Sequence, residues 1–165
     1  MATSTQPVLD QKRELLRHAL ATVAYRGGKA LRAAPASFAE FRAGETTRTP
    51  AQILAHMGDL MDWALSMAQG KEEWHDSKPL AWDEEVKRFH AALQKLDEYL
   101  SSQPLTCTPE RLFQGAIADT LSHIGQIAML RRMAGCQIKA ENYSRAEIVA
   151  GRVGPEQAAP RREFD

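Results

Sequence analysis

The chain has 165 residues, 44% hydrophobic and 25% charged, with 21 lysines and arginines balanced by 21 aspartates and glutamates. That is enough chain for a single domain, residues 1–165, with a real core. Zero net charge and no polybasic cluster argue against nucleic acid or a membrane surface as partner, and no apolar run approaches the ~18–20 residues of a membrane span.

The N-terminal stretch "MATSTQPVLDQKRELLR" lacks the charged-then-apolar layout of a signal peptide. Cys107 and Cys136 are far apart and neither has a CxxC partner, which excludes a zinc ribbon and a disulfide framework. The expectation is a cytoplasmic protein with reduced thiols.

The first helix is expected from about Val8 to Ala33, where Leu15, Leu16, Ala19, Leu20, Val23 and Ala24 recur at helical spacing. Gly27 and Gly28 interrupt it and mark a kink or a close approach. The loop "AAPASFAEFRAGETTRTP" follows, longer than the usual bundle turn, which permits a crossover and lays a loop over one end. Helix two opens on Thr49, Pro50 and Gln52, a capping box with proline at the first position, and Gly70 ends it.

Helix three is expected over roughly Asp83 to Ser101, with Val86, Phe89, Leu93, Leu96 and Leu100 on its inner face. Thr108 and Pro109 repeat the cap-then-proline signal and open helix four, which runs to about Gly135. In the tail, Ser144 and Glu147 read as a second capping box for a short C-terminal helix stopped by Gly151. No period-2 strand pattern competes. The fold expected is all-α: a four-helix bundle with a long helix 1–2 loop and a short C-terminal helix and tail.

On helix four, at about 100° per residue, Leu112, Phe113, Ala116, Ile117, Ile124, Ile127 and Leu130 fall in one arc about 140° wide. His123 lies inside that arc, and Asp119 lies about 20° beyond its edge. The two are four residues apart and reach one point above the helix surface. On helix two, His56 falls between Trp63 and Met67, inside an apolar arc that also holds Ile53, Leu54, Met57, Leu60, Ala64 and Leu65; Asp59 and Asp62 fall outside it, on the solvated side.

Burying an unpartnered carboxylate is costly. A divalent cation among His56, Asp119 and His123 would remove that cost, and imidazole with carboxylate suits zinc, nickel, iron or manganese. Three protein ligands leave positions open for water or substrate, as catalytic sites do. A buried Asp119–His123 ion pair without metal explains the same pattern, and periodicity leaves both readings open. His75 sits in a polar loop, His90 has no acidic partner on its inner face, and His18 is the one spare ligand. Gln126 falls near Asp119 on the wheel, either bonded to a ligand or facing a neighbouring helix. Arg131 and Arg132 suit the macrodipole at the helix end. Trp63, Trp74 and Trp82 line a pocket mouth or serve packing. No further residue reads as a general base.

The segments "TPAQILAHMGDLMDWAL" and "DTLSHIGQIAMLRRMAG" resemble the DinB-like, or DinB/YfiT, superfamily of metal-dependent four-helix proteins. The resemblance covers most of the chain, and its specific part is the helix-two histidine with the HxGQ segment His123-Ile124-Gly125-Gln126. It implies three histidine ligands, one on helix two and an HxxxH pair on helix four. His56 and His123 match the outer two positions, and Asp119 departs from the middle one. It also implies a homodimer, to which the tryptophan and methionine content adds. Some such proteins transfer low-molecular-weight thiols to electrophiles. The function expected is therefore a divalent-metal-dependent thiol transferase acting on a small molecule, with zinc or nickel ahead of iron or manganese. The alternatives are a metal-dependent hydrolase and a metal-free binding or dimerisation module.

Overall fold

The computed structural model describes residues 6–164. It is all-helical in its regular structure, and among the described residues no strand forms beyond an isolated antiparallel bridge between Glu141 and Glu163. Four helices carry the fold. Helix α1 spans Gln6–Leu31, α2 spans Pro50–Ala68 and α3 spans Trp82–Ser102. Helix α4 runs in three joined pieces, Pro109–Leu112, a π-helical turn at Phe113–Ile117, and Ala118–Met133. Helices α1 and α2 each pack against both α3 and α4. Among the described residues no helix is long and apolar enough to cross a membrane.

The core lies where these faces meet. Leu20, Val23, Leu54, Met57, Met61, Phe89, Leu93, Leu96, Leu112, Ile117 and Ile127 are buried there. Each such side chain removed from water stabilises the fold by about 1.5–3 kcal/mol before entropy is counted. Helix α1 passes through Gly27 without breaking. A Cβ there would stand 3.2 Å from Phe89 Cε1 and 3.4 Å from Ile124 Cδ1, so the glycine serves a close approach and not a kink.

The capping box expected at α2 forms in full. Thr49 Oγ1 accepts from the Gln52 backbone N–H at 3.2 Å, and Gln52 Oε1 accepts from that of Thr49 at 2.9 Å. Gly70, at φ 75°, follows its end. Arg131 has a different partner from the one expected. It is 5% exposed and donates to Ala30 O at 3.0 Å and Arg32 O at 2.7 Å, so it caps the carbonyl end of α1 as well as reaching Cys136 O beyond its own helix.

Three expectations are corrected. Phe113 is 48% exposed instead of lying in the buried arc. The π-turn it opens adds a residue to one turn and re-phases α4, so the residues before and after it no longer share one wheel. The short C-terminal helix is a single 3-10 turn, Tyr143–Arg145. Asn142 Oδ1 accepts from the Ser144 N–H and hydroxyl, and Glu147 pairs with Arg152 and Arg161 instead of closing a box. With Gly151 at φ 89° so close behind, there are too few residues to repay helix nucleation. Finally, Asp59 is buried, 2% exposed, because the 71–81 loop folds over it.

Candidate metal centre

Helix α2 supplies His56, and the regular part of α4 supplies Asp119 and His123, so the four-residue spacing of that pair survives the π-turn upstream. The Asp119 carboxylate lies between the two rings. Its Oδ2 is 3.6 Å from His56 Nε2, and its Oδ1 is 3.5 Å from His123 Nε2. The ring centroids are 4.8 Å apart, edge to face at 89°. The three ligand atoms all lie within 4.8 Å of one another. Two donors at ~2.1 Å from one tetrahedral ion stand about 3.4 Å apart. Both His–Asp separations are near that figure and are long for direct hydrogen bonds. The three side chains are a group that could hold one divalent ion.

The side chains of His56 and His123 are 20% and 12% exposed, and that of Asp119 is 48% exposed. Two imidazoles are thus held in the wall while the carboxylate faces open space. His123 Nδ1 is 2.8 Å from Gln126 Oε1. An amide oxygen only accepts, so Nδ1 donates to it and leaves Nε2 directed toward Asp119. Of the two uses of Gln126 left open by the sequence, a bond to the candidate ligand His123 is the one seen. Burial, the neighbouring His123 and the Arg48 charge lower the pKa of His56, while Asp119 pulls the other way. At neutral pH His56 is an uncharged imidazole, the form that binds metal.

Loop residues complete the surroundings. Trp74 packs edge-on against His56, with centroids 5.5 Å apart, and against Trp63 at 5.9 Å. Trp82 packs on Phe38 and serves the core side. A cleft of ≈ 700 Å³ opens beside His123. Smaller ones flank Asp119 and His56, the last running between Arg48 and the 76–79 segment.

The other histidines divide sharply. His18 is exposed on α1 and lies outside this cluster, which removes it as a spare ligand. His90 is buried and donates from Nδ1 to Val153 O at 3.2 Å; burial lowers its pKa. His75 joins Asp59 and Asp62 in a second group of metal-ligand type. Its Nε2 is 3.1 Å from Asp59 Oδ1 and 3.5 Å from Asp62 Oδ2. The same two oxygens lie 3.0 and 3.3 Å from the Arg88 guanidinium. A fixed cation already neutralises that group, so we read it as a clasp and not as a metal site. Arg48 and the clasp escaped the sequence reading because they lie on loops or cross between elements, where no period points to them.

No family model, no curated protein and no solved structure matches this chain.

Proposed function

We propose that the chain is a DinB-like four-helix-bundle protein of the cytoplasm that holds one divalent metal at His56, Asp119 and His123 and acts as a metal-dependent thiol transferase on a small electrophile. The observation that carries the metal is the spacing: two imidazole nitrogens approach the two oxygens of one carboxylate at 3.5 and 3.6 Å, and one ligand atom from each residue lies within 4.8 Å of the others. An ion there would supply positive charge that favours thiolate over thiol. The protein's own contribution is orientation and access. Gln126 fixes the His123 ring, and Trp74 covers one face of His56. The half-exposed Asp119 leaves one side open to incoming molecules. The thiol chemistry itself rests on the family resemblance.

Metal analysis of untagged protein is the test. About one divalent ion per chain is expected, with His56→Ala and His123→Ala each losing most of it. By removing the bond that fixes the ring, Gln126→Leu should weaken affinity about 10–100-fold. Metal content unchanged in the double histidine variant would sink the site.

The approach of Asp119 to His123 at 3.5 Å also suits a metal-free module in which the two act as an ion pair. Protein that binds no zinc, nickel, iron or manganese would favour that reading. A homodimer is proposed with either. Met129 and Met133 are 59% and 54% exposed on successive turns of α4 and offer apolar surface for it. A monomer mass by light scattering at micromolar concentration would remove the dimer.

A further inference from the structure

We infer that the cleft beside His123 is a binding subsite for a small organic anion, with the charged group on Arg48 and an apolar body along Ile53, Met129 and Leu130. As the substrate class of the centre, it rests on the metal reading; as a binding property, it stands on the cleft alone.

Three observations converge on it. The first is shape. At ≈ 700 Å³ the cleft is the size of small-molecule sites, and its lining sets the apolar side chains of Ile53, Met129 and Leu130 beside the polar Thr47, Arg48, Ser122, His123 and Gln126. The second is charge. Arg48 is exposed directly before the α2 cap and lines the clefts on both sides of His56. It has no hydrogen bond, ion pair or ring contact among the described residues, whereas nearby Arg42 is tied to Thr47 O at 3.0 Å. A guanidinium held ready at a cleft mouth recognises a carboxylate in bidentate fashion. The third is the open wall. A Cβ built on Gly125 would meet nothing within 4 Å, so α4 leaves free the volume that a side chain there would fill. Asp119 is not among the residues that line this cleft; it lines a neighbouring one that shares Ser122.

The test is calorimetric titration of the full chain, stripped of metal and then zinc-loaded, with hexanoate, hexanol and acetate as probes. Stripped protein should bind hexanoate at least about tenfold more tightly than hexanol, the size of one charge-assisted contact. It should also prefer hexanoate to acetate by a similar margin, because the apolar body is buried. Arg48→Gln should erase the preference over hexanol, and Arg48→Lys should keep part of it. Gly125→Leu, a change that favours the helix, should weaken hexanoate by about tenfold or more.

Equal binding of acid and alcohol, or indifference to both Arg48→Gln and Gly125→Leu, overturns the inference. Selective binding in a protein that takes up no zinc, nickel, iron or manganese leaves the subsite standing and removes the metal. Zinc binding without selectivity in the stripped protein does the reverse.

Discussion

Replacing Lys29 by methionine is expected to destabilise the protein by about 3–5 kcal/mol, the cost of stranding a buried charge. Lys29 is 7% exposed on α1, and its Nζ lies 2.7 Å from Glu141 Oε2 and 2.7 Å from Glu163 Oε1. The Glu141 side chain is fully buried and also accepts from Tyr25 Oη at 2.6 Å. Burial alone would lower the Lys29 pKa, but the bonds to Glu141 and Glu163 outweigh it and hold the ammonium above its ordinary range. A cation raised in the folded state contributes stability that is full below its unfolded pKa and fades as pH rises through the folded one. The Lys29→Met penalty should therefore be complete at neutral pH. Pairing it with Glu141→Leu should recover most of the loss, since an apolar pair can replace a buried ion pair. Urea unfolding of the two variants measures the difference. A single variant within about 1 kcal/mol of the parent would show that the tail, held through Glu141 and Glu163, adds little to the fold.

Helix positions and the meeting of the three candidate ligands were legible for one reason: both are properties of a single helix face. Thr49, Pro50 and Gln52 announce α2, and a histidine four residues after an aspartate faces the same way in any α-helix. Asp119 fell just outside the apolar arc, and its half-exposed side chain is what such an edge position gives. What could not be read depends on contacts between elements or on irregular backbone. No composition rule marks Phe113–Ile117 as a π-turn, and without that turn Phe113 is misplaced. Asp59 looked solvated because a wheel knows nothing of the loop that brings Ser77 onto it at 2.8 Å. Glu147 had the right spacing from Ser144 for a cap, but Arg152 and Arg161 hold it elsewhere. Arg131 lay where a helix dipole wants a cation, yet it serves a different helix.

Arg88 joins the clasp to the candidate centre. Arg88→Ala is expected to cost about 3–5 kcal/mol, because it leaves two buried carboxylates short of their cation. Arg88 Nε donates to Glu85 Oε1 at 2.6 Å, and its terminal nitrogens reach Asp59 at 3.0 Å, Asp62 at 3.3 Å and Ala55 O at 2.6 Å. Glu85 in turn accepts from the Leu80 N–H at 2.8 Å, and Asp59 from the Ser77 N–H at 2.8 Å and hydroxyl at 2.7 Å. One guanidinium thus ties α2 to α3 and holds the carboxylates that pin the loop carrying Trp74. Gly58 makes room for it: a Cβ there would sit 2.7 Å from Arg88 Nη2. Helix propensity alone would have Gly58→Ala gain up to about 1 kcal/mol. The clash should reverse the sign, which a thermal melt would detect. Arg88→Lys should rescue little, since a point charge cannot bridge three carboxylates and a carbonyl. In folded Arg88→Ala protein the loop should loosen: proteolysis within residues 71–81 should quicken, and Trp74, packed on His56, should shift its emission to the red. Parent-like stability together with unchanged loop cleavage would mean that the acids find other partners and that the clasp does not hold the wall of the metal centre.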